Sequence, residues 1–415
     1  MNIGFIIPEV GGFNSLSLEF LKWNKVIKDL GHEVYILTGK SRHFLNNTTV
    51  MNEFISESES NINLTSKLFD LSDSNHPLIK TFEEHTHRIE NIIDTWMETN
   101  QIDMIFVENY FSIPFNIQIS YALHQQLKKS NCRLMVKHHD AFYRKNIEKL
   151  SNNTFIKTIL SSCFPYHNRH TTHISSNRII KTYLKDNCNI ESMIIPYVID
   201  FNQFKDKENI SCFSEGYSSM LSESFELTLN DKCLLNFSSL IPNVNFENLF
   251  KLLDNIQDDA FKIISVVKPH ADYADYLIYL KQKIDGLNLN HRFIILQESD
   301  FYSSDYVNID YLFAFSKGVI TFDSGVGFGQ PLHKAIQHKC PLLFCTKKHS
   351  DWLELSDLGC HIIPISEHLS SQDIKTINRF IHLNLDWGDL NHDQMRQYYS
   401  LSFLQYKINK LLVKN

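Results

Sequence analysis

MNIGFIIPEVGGFNSLSLEFLKWNKVIKDLGHEVYILTG, residues 1–39, holds a complete strand, turn, helix and second strand. Ile3–Ile7 is a short unbroken apolar run, the pattern of a strand buried on both faces. Gly11-Gly12 interrupts it. From Ser15 to Leu30 the apolar residues Leu18, Leu21, Trp23, Val26, Ile27 and Leu30 recur at helical spacing, and Gly31 stands where a helix places a left-handed terminator. His32–Thr38 is again a strand. Strands joined through a helix pair in parallel, so this stretch predicts a βαβ unit.

The same alternation runs outward. Residues 41–80 are polar and irregular and read as loops with short helices. Helices are predicted over Ile89–Thr99 and Ile113–Lys129. Strands are predicted over Met104–Val107, Arg133–Lys137, Thr172–Ser175 and Ser192–Pro196. A polar, Ser/Glu-rich stretch from Pro196 to about Lys232 reads as a hinge with an insertion. The alternation then restarts with strands at Leu234–Phe237, Phe261–Val267, Arg292–Leu296, Gly318–Thr321 and Pro341–Cys345. The tail is helical, with Tyr398, Leu401, Leu404, Ile408 and Leu412 on one face. A chain of 415 residues is long enough for two domains at about 100–200 residues each. The expected division is 1–196, 197–385 and a terminal helical segment 386–415 that packs back on the first domain. The expected class is α/β, with two consecutive sheets and a cleft at the carboxyl ends of their strands.

Composition excludes several classes. Net charge is -7 and the pI is about 6.3, so no basic face is available for nucleic acid. No run of 18 apolar residues exists, and no spanning helix is expected. The start lacks a charged region before its apolar run, and reads as a strand rather than a secretion signal. The eight cysteines are scattered without a CxxC pair, which argues against zinc and against a disulfide framework. Free thiols suit a reducing cytoplasm.

Four constellations carry candidate chemistry. Gly11-Gly12 and the helix after it offer close backbone approach and free N–H groups to an anion; an ordinary turn capped by Ser15 would read the same. Glu108-Asn109 follows a strand and can bind acceptor hydroxyls through directional hydrogen bonds; a solvated strand end is the plainer reading. Lys137-His138-His139-Asp140 ends another strand. Adjacent histidines on an extended segment face opposite ways and make a poor metal pair. One of them, oriented by Asp140, can instead serve a sugar or phosphate; a buried, satisfied pair is the alternative. Finally, Asp323-Ser-Gly-Val-Gly-Phe-Gly-Gln-Pro-Leu-His-Lys-Ala places Gly325, Gly327, Phe328 and Gly329 between a strand and a helix, the geometry of an anion site. A dinucleotide-dependent dehydrogenase would need a full GxGxxG and an acid about 20 residues on, which Gly11-Gly12 and Glu33 imitate only loosely.

The last two constellations resemble the family-4 glycosyltransferases of the GT-B fold. SLSLEFLKWNKVIKDLGHEVYILTG (15–39), IDMIFVENYFSIPFNIQISYAL (102–123), VKHHDAFY (136–143), HTTHISSNRIIKTYL (170–184) and MIIPYVIDFNQF (193–204) look similar to the mannosylglucosylglycerate-synthase-like branch. GVGFGQPLHKAIQHKCPLL (325–343) resembles the family's donor motif in its frame. The resemblance implies two Rossmann-like domains facing across a cleft and no cofactor or metal. It implies an NDP-sugar co-substrate and retention at the anomeric carbon. The assigned roles are His138, His139 and Asp140 for catalysis, Glu108 and Asn109 for the acceptor, and Gly11, Gly12, Lys268, Gly325, Gly327, Phe328, Gly329 and Lys334 for the donor. The implied substrates are a hexose donor and a small polar or glycan acceptor.

The donor site departs from the family. Two glutamates eight positions apart are replaced by Val326 and Lys334. An Arg and a Lys are missing from Ser239-Leu-Ile-Pro-Asn-Val-Asn245. Losing one donor to a developing charge costs about 100–1,000-fold in rate, and losing the acid at the ribose weakens binding by roughly 1–3 kcal/mol. Lys334, or Lys268 in Lys268-Pro-His270, can compensate if it meets the diphosphate. The alternative is a catalytically impaired relative that binds or scaffolds an active transferase.

Overall fold

The computed structural model describes residues 1–11, 15–42, 45–55, 59–73, 76–139, 150–203, 219, 222, 226–228, 230–237, 246–267, 274–297, 312–313, 315–322, 330–345, 352–383 and 387–413. They form two units, Met1–Val198 with Leu401–Asn415, and Ile199–Ser400.

The first unit contains β1 (Asn2–Ile6), β2 (Glu9–Val10), α1 (Ser15–Asp29), β3 (Glu33–Thr38), β4 (Lys40–Ser41), β5 (Thr48–Val50), α2 (Glu59–Phe69) and α3 (Pro77–Thr99). It continues with β6 (Met104–Glu108), α4 (Ile117–Lys129), β7 (Arg133–His138), α5 (Thr154–Cys163), β8 (Thr171–Ser175), α6 (Arg178–Cys188) and β9 (Ser192–Ile194). Its main sheet runs β5-β3-β1-β6-β7-β8-β9, all parallel. The βαβ reading of residues 1–39 is realised in the β1–β3 pairing, with Ile3 opposite Val34 and Phe5 opposite Ile36. Helix α1 closes with the expected turn. Gly31 has φ +82°, its N–H donates to Lys28, and the His32 N–H reaches back to Ile27.

β6, MIFVE, is buried at every position, which requires cover on both faces of the sheet. On one face Phe5, Phe20, Trp23 and Phe106 interlock, with the Phe5 and Phe106 rings 4.6 Å apart. On the other, Ile93, Phe111, Leu123 and Leu160 bring in α3, α4 and α5.

The second unit holds β10 (Lys232–Asn236), α7 (Phe246–Asn255), β11 (Phe261–Val267), α8 (Ala274–Gly286), β12 (Phe293–Gln297), β13 (Gly318–Thr321) and α9 (Gln330–Gln337). It ends with β14 (Leu342–Cys345), α10 (Trp352–Asp357), β15 (Ile362–Ile365), α11 (Ser371–His382) and α12 (Trp387–Tyr399). Its parallel sheet runs β12-β11-β10-β13-β14-β15. Each unit is thus a parallel sheet alternating with helices, the Rossmann-like architecture.

Several sequence expectations are corrected. The polar stretch 41–80 holds a short helix, α2, as expected, but also the strand β5, and α3 begins at Pro77 rather than at residue 89. Pro at the first helical position loses no needed N–H, and the His76 side chain accepts from Leu78 N–H at 3.2 Å. α4 starts at Ile117, because Asn116 caps it by accepting from Ile119 N–H. β15 has no counterpart in the sequence reading. The tail is two helices, α12 and α13 (Leu401–Val413), parted at Ser400, which bridges to Ile199. That break puts α13 in the first unit and α12 in the second. Leu404, Ile408 and Leu412 of α13 are buried as expected, whereas Tyr398, on α12, is exposed.

One charged pair sits within the first unit's apolar layer. Glu19 of α1 and Lys137 of β7 have fully buried side chains with Nζ and Oε1 2.9 Å apart. Trp23 Nε1 donates to Glu19 Oε1 at 3.0 Å, and Val198 N–H donates to Oε2 at 3.2 Å. Lys137 also lies over the Trp23 ring at 4.7 Å. Burial works to raise the Glu19 pKa, but the charges of Lys137 and Lys22 and the bonds from Lys137 and Trp23 outweigh it and hold the group at about 2. A depressed acid gives stability that is complete above its usual pKa and is lost as pH falls from about 4.5 toward 2.

Lys137→Met should strand a buried carboxylate and cost about 3–5 kcal/mol. In urea titrations at neutral pH, Lys137→Met with Glu19→Leu should recover much of that loss. A single variant within 1 kcal/mol of wild type would contradict the assignment.

Candidate functional site

The carboxyl ends of β6, β7 and β8 lie side by side, since Glu108 is registered with Lys137 and His138 with Ser175. After Glu108 the chain turns sharply. Asn109 takes φ +65°, a left-handed conformation that Asn tolerates better than most residues. Ser112 N–H bonds back to the Asn109 carbonyl at 2.9 Å, and Tyr110 Oη donates to Phe54 O at 2.9 Å. The turn is therefore fixed from both sides.

Within this frame lies a group of buried polar atoms with no partner. Both carboxylate oxygens of Glu108, both ring nitrogens of His139 and Asn109 Oδ1 are buried without a hydrogen bond among the described residues. Glu108 Oε2 and His139 Nε2 are 3.5 Å apart. The His139 ring packs at 5.0 Å from Tyr197. Buried polar groups are nearly always satisfied, and leaving one unpaired costs about 1–3 kcal/mol. Several together, two of them ionisable, mark a candidate site.

His138 faces the other way, as strand alternation requires. Its Nδ1 is 2.8 Å from Ser112 Oγ, and its Nε2 is 3.0 Å from His173 Nδ1. His173 Nε2 is in turn 3.0 Å from His167 Nδ1. Burial, then the neighbouring His173 and His139, push the His138 pKa well below its usual value. Burial and His167 bring His173 to about 3. Both rings are therefore neutral at physiological pH.

The second unit treats its strand ends differently. Asn236, at the end of β10, donates to Ile320 O and accepts from Ser265 Oγ, each at 3.0 Å, so this buried amide is satisfied internally. Lys334 lies half-buried in the last turn of α9. Among the described residues no group of three or more His, Cys, Asp or Glu could hold a metal ion. No helix of these residues is long and apolar enough to cross a membrane.

No family model matches the chain. The sequence is 24% identical over 373 residues to the mannosylglucosylglycerate synthase of Petrotoga mobilis, covering 83% of this chain and 82% of that one. Over 205 residues it is 26% identical to the synthase of the same name from Thermotoga maritima, covering 49% and 46%. The fold is similar to that of sucrose-phosphate synthase from Thermosynechococcus elongatus, with TM-score 0.66 and 10% identity over 99% and 98% of the two chains. It is similar also to Anabaena HepE in complex with UDP and glucose, with TM-score 0.63 and 16% identity over the full length of both. The chain has the GT-B fold, and its sequence is similar to two mannosylglucosylglycerate synthases.

Within this GT-B frame the structure brings Glu108, Asn109 and His139 together. It divides the two histidines: His138 has both ring nitrogens hydrogen-bonded inside the protein, and His139 has no hydrogen bond at either among the described residues. Gly11 follows β2 rather than β1; it is buried with φ +71°, a conformation open to glycine. Gly12, Asp140, Lys268, Gly325, Val326, Gly327, Phe328 and Gly329 lie outside the described residues. Sequence reasoning missed Ser112, His167, His173 and the Glu19 partner of Lys137. A signal existed for Glu19, an acid inside an apolar helical stripe, and for His173, a histidine in a β-strand beside the His138 strand.

The depressed histidines give a pH prediction. Above about pH 6.5 neither folded nor unfolded chain protonates them. As pH falls toward 3, the unfolded chain takes up protons that folded His138 and His173 refuse, so stability present above the unfolded pKa is progressively lost. Each contributes a slope of up to about 1.4 kcal/mol per pH unit. In urea unfolding between pH 7 and 5, His173→Phe should flatten the decline by roughly one proton. An unchanged slope would refute it.

Proposed function

We propose that this chain transfers a hexosyl group from a nucleoside-diphosphate sugar to a small polar or glycan acceptor, with retention at the anomeric carbon. The observation that carries the reading is the buried, unpartnered set Glu108, Asn109 and His139 at the ends of adjacent strands. A sugar ring offers several hydroxyls that both donate and accept, which suits a carboxylate, an amide oxygen and an imidazole held dry and close together. Glu108 and Asn109 bind the acceptor, and His139, with Asp140 beside it in sequence, orients the reacting hydroxyl. His138 stands behind them as a positioning residue.

Donor-binding roles are assigned to Gly325, Gly327, Phe328 and Gly329 before α9, to Lys268, and to Gly11 and Gly12. Lys334 stands where the related motif has an acid and is the candidate cation for the diphosphate. Charge develops on that leaving group, and its neutralisation is the largest electrostatic demand of the reaction. Support comes from the full-length likeness to HepE, a structure that contains UDP and glucose. It comes also from the two relatives named as mannosylglucosylglycerate synthases. The reaction as proposed needs no metal or other cofactor. The seven free thiols among the described residues suit the cytoplasm. The changed residues Val326 and Lys334 favour one competing reading, an inactive GT-B relative that serves a partner transferase.

Calorimetry with UDP, GDP and ADP should reveal binding of at least one, and Lys334→Met should weaken it. Silence with all three would end the transferase reading in favour of the partner reading. With a productive donor and acceptor in hand, Glu108→Gln and His139→Ala should each lower kcat/KM by about 100–1,000-fold while the urea midpoint stays near wild type. Full activity in either variant would remove that residue from the site.

A further inference from the structure

The chain of Ser112, His138, His173 and His167 is unusual in its continuity. The His138 and His173 ring centroids are 5.3 Å apart with planes 16° from parallel, and the bonded nitrogens are 3.0 Å apart. The bond and the two ring radii together account for the whole centroid separation. The rings therefore lie edge to edge in nearly one plane, with a lone pair facing a proton head-on. His173 and His167 repeat the arrangement at 5.2 Å and 31°, again with nitrogens 3.0 Å apart. One end, Ser112, is buried in the turn that follows Glu108; the other, His167, is exposed.

A neutral imidazole carries one N–H and one lone pair. His138 and His173 use both nitrogens within the chain, so the tautomer of one dictates that of the next. Only two fully bonded orders exist. In the first, Ser112 donates to His138 Nδ1, His138 Nε2–H donates to His173 Nδ1, and His173 Nε2–H donates to His167 Nδ1. In the second, every bond is reversed: His167 Nδ1–H donates to His173, His173 Nδ1–H to His138, and His138 Nδ1–H to the Ser112 oxygen. A cationic His167 is a donor at both nitrogens and permits only the second.

We propose that these residues form a tautomeric relay, in which the protonation state of exposed His167 sets whether the Ser112 hydroxyl donates to His138 or is released toward the Glu108–Asn109 turn. His173 and His167 are positioning residues; neither touches substrate. The proton balance is simple. Each proton in the chain moves one bond toward His167, the Ser112 oxygen is reprotonated from the turn side, and the net uptake is the one proton that makes His167 cationic. The titratable groups on the neighbouring segments are His139 just past β7, His124 on α4, Cys163 on α5, and Tyr166, Arg169 and His170 between α5 and β8. None takes a nitrogen of His138 or His173, because the relay fills them all. Its consequence for acceptor binding rests on the site reading above; its existence does not.

The test is ¹⁵N NMR of the full chain labelled at histidine, with signals assigned through His167→Gln and His173→Phe. In the wild type, His138 and His173 should pass from Nε2–H to Nδ1–H tautomers as pH falls, at the midpoint of His167 itself. In His167→Gln both should keep one tautomer from pH 5 to 8. A His138 tautomer that stays fixed while His167 titrates overturns the relay, as does an inversion that survives His167→Gln. With acceptor present, KM should shift about 3- to 10-fold across the same midpoint in the wild type and not in His167→Gln, at similar kcat. Because the NMR readout needs no substrate, failure of nucleotide binding would sink the transferase reading alone, and a pH-independent tautomer pattern would sink the relay alone.

Discussion

The buried Glu19–Lys137 pair is the interaction around which the first unit is organised. It joins α1 to β7 and, through Val198 N–H, fixes the last residue of the unit's first segment. An isolated charge in that layer would be expensive, and the pair is tolerated because each member is bonded and packed against Trp23. Lys137 is also the residue before His138 and His139. A strand held at Lys137 presents the two histidines to opposite faces with little freedom.

The polar groups at these strand ends then separate into two kinds. The relay from Ser112 to His167 and the Glu19–Lys137 pair are closed, each atom meeting another protein atom. Glu108, Asn109 and His139 are open. Closed networks fix geometry, whereas open buried atoms store a free-energy cost that a bound molecule can relieve. Their proximity means that the open set is supported by rigid neighbours, the arrangement that a binding site requires.

In the second unit the carboxyl end of β10 is closed by Asn236 and Ser265, so recognition there would fall to the segments beyond the strands. A Gly-rich turn before a helix uses backbone N–H groups and can bind an anion whatever side chains surround it. On the proposed reading, such a turn over 325–329 would bind the donor through backbone alone, whatever Val326 and Lys334 contribute.

The sequence by itself determined the parallel α/β class, most of the longer strands, the Gly31 terminator and the positions of Glu108, Asn109 and the histidine pair. Those follow from local rules: apolar runs make buried strands, 3.6-residue spacing makes helices, and functional polar groups collect where strands end. Tertiary structure alone decided what those polar groups meet. The register of β6, β7 and β8 brings Glu108 to His139 and His138 to His173 across more than thirty residues of chain. It also decided that the tail breaks at Ser400, since Ile199, an isolated bridge residue some 200 positions earlier, donates its N–H to Tyr399 O. Spacing along the chain carries no record of such contacts, because side-chain partnership depends on which strands lie adjacent in the sheet.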